Sequence, residues 1–332
     1  MTGEGRPSRA RRVLRLAVGS GLLVAMVLGV AGQVVRDRSV FWALLMYLPI
    51  VPLGLAAVGF DALHRGRALP RGRFVLGGIG LIVALGAAWP MVGHGPSGRA
   101  GTGPEVSLLH WNVVWGGGKD PHPDRWALIR REIVRQGADL VVLSEAPPDD
   151  WLDQLVGELG PGASRVQSEN GPGENVWYKL VVCGRVPLKL LRREPITNGS
   201  AMVVEATVGG RPLRLLVVDA RSDPRLLRTP MLRDVVAACR RARDAGEPID
   251  ILVGDFNSVA RSLGFDAVEA EGYALASRSS RGWRGTFPSG LPIYDIDHVW
   301  ARRDLPGLRS ELFTELNSDH RGQVARFGWS GR

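Results

Sequence analysis

Several stretches of this chain share one form, an apolar run that stops abruptly at a carboxylate or an amide. Residues 251–257 read ILVGDFN, residues 139–145 read DLVVLSE, and residues 108–112 read LLHWN, with NSDH at 317–320 complementing them near the C-terminus. A short apolar run of this kind reads as a buried strand, and the polar residue ending it is delivered to the edge of a sheet, where α/β enzymes usually present their chemistry. Gly254 reads as a tight turn holding the Asp-Phe-Asn that follows. Any one of these stretches is also what an Asx turn after a core strand looks like. Their order and company point to a shared site.

Taken together, the stretches resemble the endonuclease/exonuclease/phosphatase superfamily of metal-dependent phosphoesterases, over residues 107–327. IDHV at 296–299 is a fifth match, and GTFP at 285–288 resembles that family's GTWP loop with Phe for Trp. The resemblance implies a four-layer α/β sandwich, two mixed sheets face to face with helices outside. It implies Glu145 as the principal ligand of Mg²⁺, with Mn²⁺ as the alternative, both of which suit a hard oxygen donor. Asn112 and Asp319 would help hold the metal and phosphate region, Asp255 would orient or deprotonate the attacking water, and Asn257 would hydrogen-bond a phosphoryl oxygen. Asp297 would support His320. Read from the residues alone, a strongly apolar strand that ends in Glu145 needs a reason for that charge. A histidine acts as a base only when its tautomer is fixed, as a carboxylate from another strand can do.

One departure stands out. The strand expected over 213–218 ends in Asp219, where the family pattern has a His that donates to the phosphate. As an anion Asp219 would repel a phosphate unless a cation or a proton lay between them, so the general acid is left unassigned. Arg185, inside CGRVPL, is a candidate for phosphate contact or for a structural salt link. Arg284, with Arg281 and Trp283 ahead of GTFP, is a candidate for gripping an anionic or ringed substrate, or for a solvated surface. Asp295 has the alternation needed to join Asp297, whereas His298 should point the opposite way. His110 and His122 carry no motif support and read as ordinary packed or surface histidines.

The remaining elements follow from pattern. Asp124 is placed to cap a helix burying Trp126, Ile129 and Ile133, with Arg130, Arg131 and Arg135 on other faces. Residues 176–182 and 201–208 read as strands. Leu232, Val235, Val236 and Cys239 mark the buried face of a helix. The chain has only two cysteines, Cys183 and Cys239, one near a strand and one on an apolar helical face, so two buried thiols are expected rather than a disulfide. No cysteine or histidine spacing suits zinc. Trp111 and Trp115 read as packing more than as a ligand platform.

The first third is written for a different solvent. Apolar runs cover residues 13–35, 39–60 and 74–92, each long enough or nearly so to cross a hydrocarbon core as a helix, with Pro49 and Pro52 expected to kink the second. Arg6, Arg9, Arg11, Arg12 and Arg15 precede the first run, and Arg65, Arg67, Arg71 and Arg73 separate the second from the third. The positive-inside rule then predicts three transmembrane helices, a cytoplasmic N-terminus and a catalytic domain outside the cell membrane. The expected organisation is a membrane region over 1–93, a flexible linker over 94–105, and a phosphoesterase domain over 106–329.

Charge sharpens the substrate question. The formal net charge is +9, and residues 1–99 hold 12 Lys plus Arg against 3 Asp plus Glu, leaving 30 of each for the rest. The basicity therefore belongs to topology, and the globular part has no long-range pull toward a polyanion. Nucleic acid is not favoured as a partner, and no protein partner is implied. This layout is similar to that of actinobacterial membrane proteins associated with teicoplanin resistance, which implies lipid-linked or other cell-envelope phosphates as substrates. The alternatives are an external nuclease or sphingomyelinase-like phosphodiesterase, and a phosphate-binding module that has lost turnover.

Overall fold

The structure is a computed structural model and describes residues 9–70, 72–95, 104–118, 122–168 and 179–329. Most of the expected linker, together with Arg6 and Arg71, lies outside the described residues. The chain divides into two compact units, Met1–Met91 and Val92–Arg332.

In the first unit the helices are α1 (Arg9–Val35), α2 (Val40–Met46), α3 (Ile50–Leu63) and α4 (Val75–Ala88). Among the described residues, α1 alone is long and apolar enough to span a membrane; α2 and α3 qualify only as a pair, bent by 54°, and Val75–Met91 is shorter. The expectation of three spanning helices is thus met by one helix of full length. The bend has a local cause. Pro49 is the N-cap of α3, and a residue preceding proline is pushed out of the helical region. Pro52 does not kink the run, because it falls in the first turn of α3, where an amide has no intrahelical acceptor to lose. The two helices α3 and α4 meet through small residues: a Cβ on Gly54 would collide with the backbone of Gly80, so glycine is what allows this approach. Asp61 is buried and satisfied, accepting from the amides of Ala68 at 3.1 Å and Gly77 at 2.8 Å.

The second unit contains two six-stranded sheets. One runs β13 (Arg309–Phe313), β14 (Gly322–Gly328), β2 (Glu105–Asn112), β3 (Leu140–Ser144), β5 (Val181–Gly184), β4 (Ser164–Gln167). The other runs β10 (Tyr273–Leu275), β12 (Asp297–Arg302), β9 (Ile251–Asp255), β8 (Arg211–Ala220), β7 (Gly199–Val208), β6 (Leu188–Glu194). Residues 92–94, expected at the junction of the third apolar run and the linker, instead form β1 (Val92–His94), which pairs with β11 (Arg281–Trp283). In each large sheet one pair is parallel, β2 with β3 and β8 with β9. Parallel neighbours need a crossover, supplied by α6 (Pro123–Gln136) and by α8 (Arg228–Asp244).

Alternation sorts the strand residues into layers. Leu108, Val142, Val217, Val253 and Val299 fill the space between the sheets. The intervening residues Leu109, Trp111, Val141 and Leu143 face α6 and α7 (Asp149–Leu159), burying Trp126, Ile129 and Leu155 against them. On the other side Leu216, Val218 and Leu252 face α8 and α9 (Gly264–Ala270), which contribute Leu232, Val235, Cys239 and Phe265. Helix, sheet, sheet and helix therefore stack in four layers. Both cysteines are buried and free. Asp124 is not the cap of α6: His122 occupies that place with Pro123 at the first helical position, and Asp124 lies within the first turn.

Candidate active site

The period of two that packs the core also builds the site. Asp219, Asp255 and Asp297 end or begin three adjacent strands in one register, with Asp219 opposite Asp255 and Asp255 opposite Asp297. Each lies two residues from a core valine, Val217, Val253 or Val299, so all three side chains point between the sheets. Directly opposed side chains have Cβ atoms about 4.5–5.5 Å apart. On the facing sheet the same parity carries His110, Asn112 and Ser144 inward beyond Leu108 and Val142. Gly254 is not a turn residue but part of β9, at φ 147°, where a Cβ would collide with the Val218 carbonyl of β8. Glycine there lets β8 and β9 close up and brings Asp219 beside Asp255.

A row of three buried carboxylates is electrostatically expensive, and the site responds in several ways. Burial, and then the charge of Asp255, raises Asp219 well above the usual carboxylate range, and its Oδ2 has no hydrogen-bond partner. Burial and then Asp297 push Asp255 up to about 7 against the opposing pull of His320. For Asp297 burial also pushes up, but the charge and hydrogen bond of His320 outweigh it and hold the carboxyl below its ordinary value. The His320 Nδ1 lies 2.8 Å from Asp297 Oδ2, and although burial opposes it, this pairing carries the imidazole up to about 10. His320 Nε2 then faces Asp255 Oδ2 at 3.9 Å and Asp319 Oδ1 at 3.7 Å. Glu145, in the left-handed region at φ 48°, is raised to about 7 by burial against a hydrogen bond from Asn112.

Amides and hydroxyls fix this arrangement. Asn112 Nδ2 donates to Asp255 Oδ2 at 3.0 Å, and its Oδ1 accepts from the Val114 amide at 3.0 Å. The Asn257 amide donates to Asp255 Oδ1 at 2.8 Å, and its Nδ2 to the Ala220 carbonyl at 2.7 Å, while Phe256 is buried behind. Ser318 Oγ donates to the Asn112 carbonyl at 2.7 Å and accepts from the His320 amide at 3.0 Å. Trp111 Nε1 donates to the His320 carbonyl at 2.9 Å. Ser289 ties the GTFP loop to the same segment, its amide to the Asp319 carbonyl at 2.6 Å and its hydroxyl to the Ser318 carbonyl at 2.7 Å.

Glu145, Asp255, Asn257, Asp319 and His320 all line one cavity of about 620 Å³, with Trp115, Arg125, Phe287 and Leu316 among its other walls. Other expected participants are elsewhere. Arg185 gives its Nε–H to the Leu159 carbonyl at 2.8 Å and is a structural residue. Arg284 is buried and pairs with Asp295 at 3.4 Å. Asp295 also accepts from the Ala260 amide at 3.3 Å, so it does not join Asp297. His298 does turn away, giving Nε2 to the Ser258 carbonyl at 2.7 Å among Phe256, Phe265 and Trp300. Trp111 is buried against Phe313, but Trp115 is a wall of the cavity and not only packing.

His110, expected from the sequence as an ordinary packed or surface histidine, is fully buried beside the site, with Nε2 3.2 Å from Ser144 Oγ and Nδ1 4.0 Å from Asp297 Oδ1. Burial lowers it to about 4, so it stands behind Asp297 as a neutral ring. Its position two residues before Asn112 on an alternating strand was the available signal. Arg125 had none, since its loop partner is set by the fold.

The family model described as Endonuclease/Exonuclease/phosphatase family matches residues 109–320. The chain belongs to this family. Its members hydrolyse phosphate esters as phosphatases, nucleases and phosphodiesterases, typically with divalent metals. Among curated proteins none matches the sequence. Similar solved folds include an endonuclease/exonuclease/phosphatase family protein of Bacteroides thetaiotaomicron at TM-score 0.57 and 13% identity, covering 69% of this chain and 100% of that one. A mannosyl-6-phosphatase of the same species has TM-score 0.55 and 14% identity over 68% and 100% of the two chains. The human Nocturnin catalytic domain with bound sulfate has TM-score 0.53 and 18% identity over 71% and 97%.

The residues present fit a hard divalent cation. Glu145, Asp255 and Asp319 bring carboxylate oxygens to one cavity, beside a buried group of Asp255, Asp297 and His320 whose polar atoms all lie within 4.8 Å of one another.

A stability measurement reads Asp219 directly. Because its folded value is raised, the folded chain keeps a proton that the unfolded chain releases, so this group's contribution falls as pH rises above 3.8. Asp219→Asn removes that linkage. Fluorescence melts of the full chain with chelator should show the variant gaining on the wild type from pH 5 to pH 8, at up to ~1.4 kcal/mol per pH unit. Parallel curves would mean that Asp219 is ionised in the fold.

Proposed function

We propose that the chain hydrolyses a phosphoester or phosphoanhydride carried by a lipid or another cell-envelope component, using a divalent metal. It does so as a multi-pass membrane protein with the catalytic unit outside, in the manner of the actinobacterial teicoplanin-resistance-associated proteins it resembles. The observation that carries the chemistry is the in-register aspartate row coupled to the Asp297/His320 pair and opening on the Glu145 cavity. Mg²⁺ or Mn²⁺ held by Glu145, Asn112 and Asp319 would supply neutralisation of the phosphate oxygens. Asp255, raised to about 7, is poised to take a proton from water near neutral pH. His320, held as imidazolium by Asp297, is a donor to a phosphoryl oxygen rather than the base. Burial beside Asp255 holds the Asp219 carboxyl well above the usual range, which supports a protonated Asp219 that would not repel the phosphate.

The substrate class is supported by the cavity mouth and by the first unit. Leu291 is 64% exposed and Leu316 76%, on the two loops that Ser289 stitches together beside the site. Leu316, exposed in the wall of the cavity, suits an apolar chain better than a polynucleotide. Among the described residues the cavity has a single arginine in its wall, where a nuclease would be expected to border an open groove with basic residues. In the first unit α1 exposes Val13, Leu14, Val24, Val27 and Val34, side chains that lipid would cover.

The test is phosphate release by the full chain in detergent, with Mg²⁺ and with chelator, from an isoprenyl diphosphate, a phospholipid, and single- and double-stranded DNA. Metal-dependent release from the lipids is the expected result. DNA cleavage with inert lipids would move the chain to the nucleases, and binding of phosphate without release from any substrate would make it a binding module.

A further inference from the structure

Among the described residues that line the cavity, Arg125 is the one basic residue other than His320, and the lining also includes Glu145, Asp255 and Asp319. It does not serve its helix. Arg125 lies in the first turn of α6, where the helix dipole disfavours a cation. Nor does it serve an ion pair: its Nη1 donates to the Gly117 carbonyl at 2.7 Å, and among the described residues no carboxylate pairs with it. The segment α5 (Val114–Gly117) and the glycine after it are shaped around this side chain. Gly117 and Gly118 have φ of 110° and 143°, and a Cβ on them would meet Arg125 Cβ at 2.5 Å and Arg125 Nη1 at 3.1 Å. The loop backbone thus lies along the arginine and fixes its head in the cavity wall.

A guanidinium has five N–H donors in a rigid fork that matches phosphate geometry. One N–H is spent on Gly117. A metal held among the acids would neutralise the phosphate under attack, and a second phosphate in the same cavity would lie near Glu145, Asp255 and Asp319 and need a cation of its own. We propose that Arg125 receives that non-scissile phosphate, so that the site selects diphosphates over monophosphates. The inference rests on the phosphoesterase reading for its substrate, and deepens it.

Calorimetric titration of the full chain in detergent tests this without turnover. The probes are methylenediphosphonate and inorganic phosphate, with Mg²⁺ in excess of either, so that every variant meets the same magnesium complexes. The wild type should bind the diphosphonate at least ~10-fold more tightly than phosphate. Arg125→Gln should erase that preference by weakening the diphosphonate ~10-fold while phosphate changes less than about twofold. Arg125→Lys keeps the charge and loses the fork, and should retain part of the preference; it also serves if the glutamine variant does not fold. Equal affinity of the wild type for both probes, equal weakening of both, or no effect of either variant would overturn the assignment. Absence of phosphate release from every phosphoester would sink the hydrolase reading but leave this binding comparison standing on its own.

Discussion

Glu145→Gln should lower metal-dependent phosphate release by ~10³-fold or more, because the substitution removes the ligand charge while keeping the side-chain shape. Metal stabilisation of developing phosphate charge is worth several kcal/mol, and each ~1.4 kcal/mol is a factor of ten. The same variant has a readout that does not depend on turnover. Burial holds Glu145 at about 7, above its ordinary 4.5, so without a cation the folded chain keeps a proton over that window. Its contribution to stability therefore declines as pH rises from about 4.5 to 7. A cation competes with that proton, so the rise in Tm on adding Mn²⁺ should be larger at pH 8 than at pH 5.5; saturation at a hundred times Kd is worth about 2.7 kcal/mol. Glu145→Gln should flatten the pH dependence of the shift. A full-sized shift in the variant would mean that the cation sits elsewhere.

His320→Ala should reduce kcat by about 10²–10³-fold, the range for one positioned donor to a developing oxyanion, and should also destabilise the unit. Removing the imidazole leaves Asp297 Oδ2 without its 2.8 Å partner, and breaking a buried charged pair from one side costs about 3–5 kcal/mol. The pH dependence carries the sign. His320 is raised from 6.5 to about 10 in the fold, so its stabilisation is complete below 6.5 and is lost as pH rises through 10. The stability gap between wild type and variant should narrow between pH 7 and pH 10.5. Asp297→Asn should return the imidazole toward its ordinary value, visible as a lowered titration midpoint for that ring by NMR. A constant gap together with an unmoved midpoint would remove His320 and Asp297 from the proposed proton chemistry.

The local pattern of the sequence determined a good deal of this. A β-strand alternates with a period of two, so an apolar run with a polar end fixes both which residues fill the core and which reach the site; Asp255 after Val253 and Asp297 before Val299 follow from that alone. The same rule would have supplied His110, which shares a face with Asn112. The rule stops where the strand stops. Asp295 has the parity of Asp297 but lies outside β12, and there Arg284 and the Ala260 amide claim it. Arg185, open between phosphate contact and a structural role, is settled for the same reason: a loop residue carries no periodicity, and the Leu159 carbonyl lies within its reach.

The tertiary structure decided what depends on neighbours distant in the chain. Glycine at 254 lets β8 approach β9, and that register sets Asp219 beside Asp255 in a buried place, where its carboxyl is held well above the usual range. Residue type alone marks Asp219 as an anion. Arg125 belongs to the site only because Gly117 and Gly118 bend a loop around it, and no spacing between residues 117 and 125 foretells a side chain's contact with a backbone. Charge state and the reach of a long side chain depend on burial and on through-space partners, and these exist only once the two sheets have closed on one another.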